Sequence, residues 1–303
     1  MSADARAFRD KLLMCHRARA AGVRVPDFLH VLNYDELRAF MARVPAPWVM
    51  KPRTDVSAIG IKKLDDSERV WRTIDALDAR ESVRERSPFY LLERFVAGDV
   101  FHVDSLVNEG KVIFAGVNAY GQPPMEVAHG GGVFITRSVK HNSEDQRRLV
   151  KINRKLISAL GLKHGAAHAE FIKSVEDGEF YFLEIAARVG GAYIAETLEA
   201  ASGINLWREW ARIEVARAGL GQYKLPAPRK NYGGIVLSLA RQEYPDTSAY
   251  TDEEIVYRPQ KRHHVGLVVS SSKLERVDEL LDTYARRFAD DFTAIAPPLE
   301  RAE

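Results

Sequence analysis

The sequence predicts an α+β protein whose sheets are largely antiparallel. Three observations predict it. Short apolar runs such as "PWVMKPR", "FYLLERF" and "EFYFLEI" read as buried strands. Amphipathic helical stretches lie between them, the best of them with caps at both ends. The turns "NEGK" and "EDGE" send one strand straight back along its neighbour. With 303 residues, 46% of them hydrophobic, the chain can bury a sizeable core as two units or one divided unit.

The elements follow in order. Ala3 to about Ala21 has helical spacing and stops at Gly22; "VRVPDFLHV" then runs into a second helix, "NYDELRAFMARV". A strand ends at Lys51-Pro52, and the small-residue loop "TDVSAIGIKKL" leads into another. A helix over Ser67–Ala79 precedes the strand "FYLLERF". From Val100, alternation in "VFHVDSLV" and "VIFAGV" around "NEGK" predicts a hairpin. The segment "MEVAHGGGVFITRS" suits a lid, hinged at Gly130–Gly132, from which His129, Thr136 and Arg137 reach a substrate. Ser143 and Gln146 form a capping box for a helix with the stripe Leu149, Ile152, Leu156 and Leu160, closed by Gly161. Two strands flank Asp177, and a helix pair covers Tyr193–Ala218. The Gly- and Pro-rich "GLGQYKLPAPRKNYGG" marks a boundary, followed by strands at "GGIVLSLA" and "VGLVVSS" and a helix over Leu274–Phe288.

Composition narrows the function. Lys and Arg number 44 against 42 Asp and Glu, with no basic stripe interleaved with aromatics, so nucleic acid is a poor partner. The lone cysteine, Cys15, excludes an intrachain disulfide, fits a reducing compartment, and reads as a small buried hydrophobe. No apolar run reaches the roughly 18 residues of a membrane span. The start "MSADARAFRDK" lacks a secretory core, so a cytoplasmic, unprocessed protein without membrane contact is expected.

The chemistry concentrates in "AAHAEFI" and "EFYFLEIAARVGGA". A hairpin centred on Asp177 puts Glu170 opposite Glu184, His168 opposite Ala186 and Ile172 opposite Phe182, all on one face. Ala169, Phe171, Leu183 and Ile185 form the apolar face. Like charges directly opposite destabilise a hairpin. A divalent cation that also carries phosphate oxygens offsets this, as Mg²⁺ does with one or two carboxylates. The alternative is Glu184 paired with Arg188 and Glu170 in solvent. Gly190-Gly191 before a helix adds free N–H groups and a dipole that suit an anion. Lys51, at the end of a buried strand, needs a partner, and "RTDVSAIG" is small enough to fold over phosphates although no P-loop or GxGxxG is present. Glu93 and Asp99 flank an apolar turn, as a clamp for base and ribose or as solvated charges at a sheet edge. His164 and His168 lack a clear third zinc ligand.

In order along the chain, Asp10-Lys11, "AGVRVP", "VMKPR", "SAIGI", "LLERFVAGDVFHVDSL", "GAAHAEF", "FLEIAARVGGA" and "SGINL" resemble the ATP-grasp superfamily of carboxylate–amine and carboxylate–thiol ligases. The likeness is nearest the L-amino-acid ligase branch, runs from about residue 10 to residue 217, and extends to biotin carboxylase in the nucleotide-binding half. It implies two α+β subdomains gripping ATP between them: helices and a small subdomain over 1–92, a larger one with the metal hairpin over 93–217, and a C-terminal α+β segment over 218–303. It implies Lys11 and Lys51 on the ATP phosphates, with Ser57 and Gly60 in the loop that covers them. Glu93 with the backbone at Phe95 and Val96 would hold adenine, and Asp99 the ribose. Glu170 and Glu184 would hold Mg²⁺, or Mn²⁺ in its place. Arg188, Lys51 and His129 would serve catalysis. The implied reaction is ATP-dependent joining of a small carboxylate and an amine, such as amino acids, through an acyl phosphate.

Two departures are visible. The family commonly reads Glu-x-Asn at the second metal strand, where this chain has Ala186. Such ligases also carry an N-terminal Rossmann-like domain, and this sequence starts where that domain would end. A second chain that supplies it, a remodelled pocket and a homodimer all stay open. So do two other readings: an ATP-binding subunit that depends on a partner, and an ATP-grasp phosphotransferase.

Overall fold

The helical run expected from Ala3 to Ala21 is interrupted at Asp10. In the computed structural model, which describes residues 3–55, 59–80, 82–123 and 132–294, α1 (Ala3–Arg6) ends before α2 (Lys11–Ala20) begins. Asp10 takes an extended conformation, and its Oδ1 accepts the amides of Leu12 at 3.1 Å and Leu13 at 3.4 Å. A short side-chain acceptor there starts a new helix and satisfies two of its orphan donors. Arg53 seals the cap through Nε, 3.1 Å from Oδ1. Burial works against the Asp10 charge, but Arg53 outweighs it and holds the carboxyl below its ordinary range.

The first sheet contains β1 (Phe28–His30), β2 (Trp48–Pro52), β3 (Lys62–Leu64) and β4 (Tyr90–Arg94), in the order β1-β4-β2-β3, all antiparallel. Helices α3 (Tyr34–Arg43) and α4 (Ser67–Asp78) supply Leu37, Phe40, Val70 and Ile74, which bury against Trp48, Met50, Leu64 and Leu92 of the sheet. Strand alternation then turns Lys51 and Glu93 to the opposite side.

The second sheet has eight strands: β5 (Gly98–Asn108), β6 (Lys111–Tyr120), β7 (Phe134–Ser138), β8 (Gly165–Ser174), β9 (Phe180–Ala186), β10 (Tyr232–Leu239), β11 (Ile255–Tyr257) and β12 (His264–Ser271). Their order is β11-β12-β10-β7-β6-β5-β8-β9. The expected β5–β6 hairpin closes through Glu109 and Gly110, with φ of 52° and 75°, the left-handed pair a two-residue hairpin requires. Helix α5 (Glu144–Leu160) begins at Ser143, whose Oγ accepts the Gln146 amide at 3.2 Å, and ends at left-handed Gly161. The return bond of the box forms one residue earlier, with the Asn142 amide donating to Gln146 Oε1. Leu149, Leu156 and Leu160 bury with Ile157, and Asn153 occupies the inner side of the stripe while Ile152 is only half-buried.

Helices α6 (Ile194–Ser202), α7 (Leu206–Arg217) and α8 (Leu274–Asp291) complete the layers. A Cβ on Gly233 would meet the Thr197 carbonyl of α6 at 2.6 Å, and one on Gly234 would meet Leu281 of α8 at 2.5 Å. These neighbours therefore bring α6 and α8 onto opposite faces of β10. The boundary expected at 92/93 falls inside β4, and beyond 218 strands β10–β12 extend the sheet that β5–β9 begin.

Two expectations are corrected here. The stretch read as a lid contains β7, a central strand: Thr136 is fully buried and Arg137 forms an ion pair with Asp278, so neither reaches for a substrate from a hinge. His129 and Ser57 lie outside the described residues. The β8–β9 hairpin keeps the expected register at His168↔Ala186 and Glu170↔Glu184 and then shifts by one residue, pairing Phe171 with Phe182 and Ile172 with Tyr181. The bulge exchanges two side chains between faces. Phe182 enters the core beside Phe171, with ring centroids 5.9 Å apart, and Leu183 joins Val96, Ile172 and Tyr181 on the carboxylate side. The driving force is the burial of a complete aromatic ring.

Replacing Phe182 with Ala should therefore cost about 3–5 kcal/mol, and Leu183→Ala about 1 kcal/mol, in urea unfolding. Equal costs would contradict the bulged register.

Candidate active site

The site lies where the first sheet faces strands β8 and β9 across helix α2. Helix α2 carries Lys11, Met14, Cys15 and Ala18 into the interior. Lys11 is 5% exposed, and its Nζ sits 3.1 Å from Glu184 Oε2 and 2.5 Å from the Asp55 carbonyl. The backbone holds it there too, since the Lys11 amide donates to the Arg53 carbonyl at 2.7 Å. One residue of the α2 cap thus links the loop after β2 to the end of β9.

Lys51 finds the partner its buried position demands. Its Nζ lies 2.7 Å from Glu93 Oε2 and 3.4 Å from the Leu183 carbonyl of β9. Burial works against the ammonium, but Glu93 raises its pKa above the ordinary lysine value, so Lys51 is a fixed cation. Glu93 is 3% exposed, with Oε1 also contacted by the Cys15 thiol at 3.5 Å. Both its oxygens are therefore engaged inside, and the carboxylate holds Lys51 rather than opening freely toward a base. Burial and the Glu93 charge push the Cys15 thiol well above its ordinary value, which makes it an inert hydrophobe as expected.

The apolar floor beside these charges comes from Val96, Val100, Tyr120 and Ile172, with Phe134, Tyr181 and Leu183 partly buried against them. Phe95 is half-buried, its amide donates to the Pro47 carbonyl at 3.1 Å, and Lys63 Nζ lies 4.1 Å from its ring centroid. Gly60 turns with φ +71° before β3. Asp99 is exposed and pairs in register with Lys173. Arg188 is exposed just beyond β9, and its Nη1 donates to the Val189 carbonyl at 2.8 Å. The alternative pair of Glu184 with Arg188 does not form, because Glu184 is held by Lys11 instead.

Glu170 does not face solvent alone either. Its Oε1 accepts from Tyr120 Oη at 2.8 Å and lies 3.3 Å from His168 Nε2. Behind it runs a buried polar row that sequence reasoning missed. His168 Nδ1 meets Asp104 Oδ1 at 2.8 Å, Asp104 Oδ2 meets His102 Nδ1 at 2.5 Å, and His102 Nε2 meets Thr136 Oγ1 at 2.6 Å. Antiparallel pairing of β5 with β8 explains the row: His102 lies opposite Glu170 and Asp104 opposite His168. His102 and Asp104 are spaced two apart on one strand, as are His168 and Glu170 on the other, and that spacing was the available signal. The ligand atoms of His102, Asp104 and His168 lie within 4.8 Å of one another, but those atoms already hydrogen-bond among themselves and to Glu170 and Thr136.

The charges in this row are interdependent. Burial disfavours ionisation of His168, but Asp104 and then Glu170 outweigh it and raise its pKa to about 10. Burial would raise Asp104, yet His168 and His102 hold it well below the usual carboxylate range. Glu170 is likewise lowered, chiefly by His168 against the effect of burial. Burial and Glu170 push Tyr120 well above the usual phenol value, so it stays a donor.

Gly190 closes over this row. A Cβ there would lie 2.9 Å from Asp104 Oδ1 and 3.0 Å from His168 Nδ1, so no larger residue fits. The next residues, Ala192 and Tyr193, have φ of 51° and 59°, and α6 starts with no side-chain cap. Its first amides are left without a side-chain acceptor at the same end of the site as Arg188.

Glu170 Oε1 is engaged by Tyr120 and His168, and Glu184 Oε2 by Lys11. Each carboxylate keeps a second oxygen, on directly opposed residues. Two hard oxygen donors flanked by fixed lysines fit a hard divalent cation, Mg²⁺ or Mn²⁺. The same lysines suit phosphate oxygens.

The profile of the ATP-grasp domain family matches residues 44–196. The L-arginine-specific L-amino acid ligase of Bacillus subtilis is 26% identical over 212 residues, which is 69% of this chain and 50% of that protein. Among solved structures, an L-amino acid ligase from Bacillus licheniformis superimposes with a TM-score of 0.67 at 18% identity, over 95% of this chain and 72% of that one. A biotin carboxylase from Campylobacter jejuni does so with a TM-score of 0.70 at 16% identity, over 94% and 67%. The chain spans about half the length of the curated relatives it matches.

Removing the His168 imidazole should strip Asp104 Oδ1 and Glu170 of the ring they share and leave Asp104 with His102 alone, at a cost of about 3 kcal/mol. Because its folded pKa lies above the ordinary 6.5, its contribution is complete below pH 6.5 and is lost as pH rises through about 10. Urea unfolding of wild type and His168→Gln should show a stability gap that narrows over that interval. A gap that widens with pH would show that His168 is neutral in the folded protein.

Proposed function

Since this chain belongs to the ATP-grasp domain family, we propose that it is an ATP-dependent carboxylate–amine ligase. The observation that carries the proposal is the opposition of Glu170 and Glu184 with Lys11 and Lys51 set around them. Names of relatives give the substrate class: one is an L-arginine-specific L-amino acid ligase and another an alanine–anticapsin ligase, so amino acids are proposed as carboxylate and amine. The single buried cysteine supports a cytoplasmic setting, and no described helix is long and apolar enough to cross a membrane.

In this reading ATP lies between the two sheets, with adenine against Val96 and the backbone at Phe95 and the ribose toward Asp99. Gly60 belongs to the loop over the phosphates. Lys51, kept charged by Glu93, and Lys11, fixed by the α2 cap, bind the phosphate oxygens. Glu170 and Glu184 would hold Mg²⁺, which would neutralise phosphate charge on the nucleotide. The substrate carboxylate attacks the γ-phosphorus in line, the bond to the β–γ bridging oxygen breaks, and ADP leaves. Lys11, Lys51 and Arg188 stabilise the charge spread over the transferring group. The amine then attacks the acyl carbon of the acyl phosphate, phosphate departs with the electron pair of the C–O bond, and the nitrogen loses a proton. The uncapped start of α6 beside Arg188 suits the departing anion. Tyr120 and His168 keep Glu170 oriented through both steps.

Ala186 favours a second reading. It offers no oxygen where the family pattern has asparagine, and a nucleotide-binding subunit that works through another chain would tolerate that change. Tight ATP binding with no turnover on any amine and carboxylate would select this reading over the first. Product mass would reveal phosphate transfer to a different acceptor.

ADP release should rise when ATP and Mg²⁺ are supplied with a productive amino-acid pair. Glu184→Ala should lower that rate by more than the roughly 10–100-fold that loss of an outer-sphere metal partner costs. Activity undiminished in this variant would remove Glu184 from the metal site.

A further inference from the structure

Strand β6 pairs with β7 only over Asn118–Tyr120. The Val139 amide makes one further bond to the Val117 carbonyl at 3.0 Å, and there the neighbouring chain leaves. Among the described residues, the β7 side of β6 from Ile113 to Gly116 is therefore a free edge in the middle of the second sheet. In an antiparallel strand the N–H and C=O of every second residue point the same way. Ala115 consequently directs both groups where Val117 directs its carbonyl, away from β5.

That edge opens into a cavity of about 380 Å³ between α5, α6 and the segment over 228–231. Such a volume suits a small molecule. No Asp or Glu lines it, whereas Arg154 and Lys230 do, both exposed and neither in an ion pair among the described residues. Asn118, also in the lining, is 2% exposed, and its side chain makes no hydrogen bond among the described residues. Leu198 and Val150 supply apolar walls. The cavity offers a strand edge for a peptide unit, an amide for a further polar group, and two uncommitted cations for a carboxylate.

The cavity lies toward the far end of α6 from the cleft: Leu198 and Ser202 line it, whereas a Cβ on Gly190, which roofs Asp104 and His168, would meet Ile194 at the helix start, and Ile194 to Ser202 spans about 12 Å. It borders the buried row only where Asn118 lies opposite His102. We propose that the cavity is a second binding site, which takes a small peptide-like carboxylate by adding it to the β6 edge. The contact is a short form of strand addition, with main-chain bonds giving affinity and the flanking charges giving selectivity. It goes beyond the ligase reading and does not depend on it.

The test is a titration of the isotope-labelled full chain with N-acetyl-glycyl-glycine, followed by the NMR amide signals of Ala115 and Gly116. The neutral analogue N-acetyl-glycyl-glycinamide serves as control. Saturable shifts are expected with the acid, with binding at least about tenfold weaker for the amide, or roughly 1.4 kcal/mol. Reversing both cations, Arg154→Glu with Lys230→Glu, should weaken the acid by a similar factor, and both positions are exposed enough to leave folding intact. Asn118→Leu should reduce binding further. Glu184→Ala, which targets the ligase reading, should leave this titration unchanged, so failure of one idea is not failure of the other. No saturable shift, equal binding of acid and amide, or an unaltered titration in the double reversal would each overturn the proposal.

Discussion

Everything at the centre of this protein depends on two like charges being held opposite one another. Glu170 and Glu184 face each other across adjacent strands, which by itself opposes the hairpin. The fold resolves the conflict asymmetrically. Glu184 is drawn toward Lys11 on α2, and Glu170 toward Tyr120 and His168 in the sheet. Each carboxylate spends one oxygen on its own support, which keeps the two second oxygens on one face without requiring either group to be neutral.

The supports differ in kind. On the Glu184 side they come from the first sheet and α2, through Asp10, Arg53, Lys11 and the Lys51–Glu93 pair. On the Glu170 side they come from inside the second sheet, as a row that crosses from β8 through β5 to β7. A side chain in such a row costs a great deal if it loses its partner, because the neighbours stay buried and unsatisfied. The α2 side is held as firmly, since Met14, Cys15 and Ala18 bury in the same core as Phe171 and Phe182 of the second sheet.

Much of this was legible before any coordinates. The centring of the hairpin on Asp177 placed the two glutamates together, and the buried end of β2 announced that Lys51 needed a counter-charge. The capping box at Ser143 and the left-handed Gly161 marked α5 correctly because both signals are local. What escaped was non-local. The β5–β8 pairing, which turns His102 and Asp104 into neighbours of Glu170, joins residues more than sixty positions apart, and no turn residue announces it. The bulge that moves Phe182 inward is decided by a cavity among other aromatic rings, not by the hairpin itself. Strand β7 was hidden by the triple glycine just before it in the sequence, which was read as a hinge, while the five residues after Val133 form a strand. Asp10 was visible as a residue beside Lys11, but the guanidinium that seals its cap comes from Arg53, more than forty positions away after β2.

The departure at Ala186 and the imidazole at His168 belong to one arrangement. The two are directly paired, so their side chains leave the sheet side by side on the carboxylate face. His168 already fills that space, bonded to Asp104 on one side and within reach of Glu170 on the other, and Gly190 roofs it with no room for a Cβ. An asparagine at 186 would have to share the space with the ring and would compete for the same carboxylate. A methyl group does neither. Ala186 therefore leaves its share of that face to the His168 imidazole, whose pKa is raised by Asp104 and Glu170 so that it stands as a cation beside Glu170.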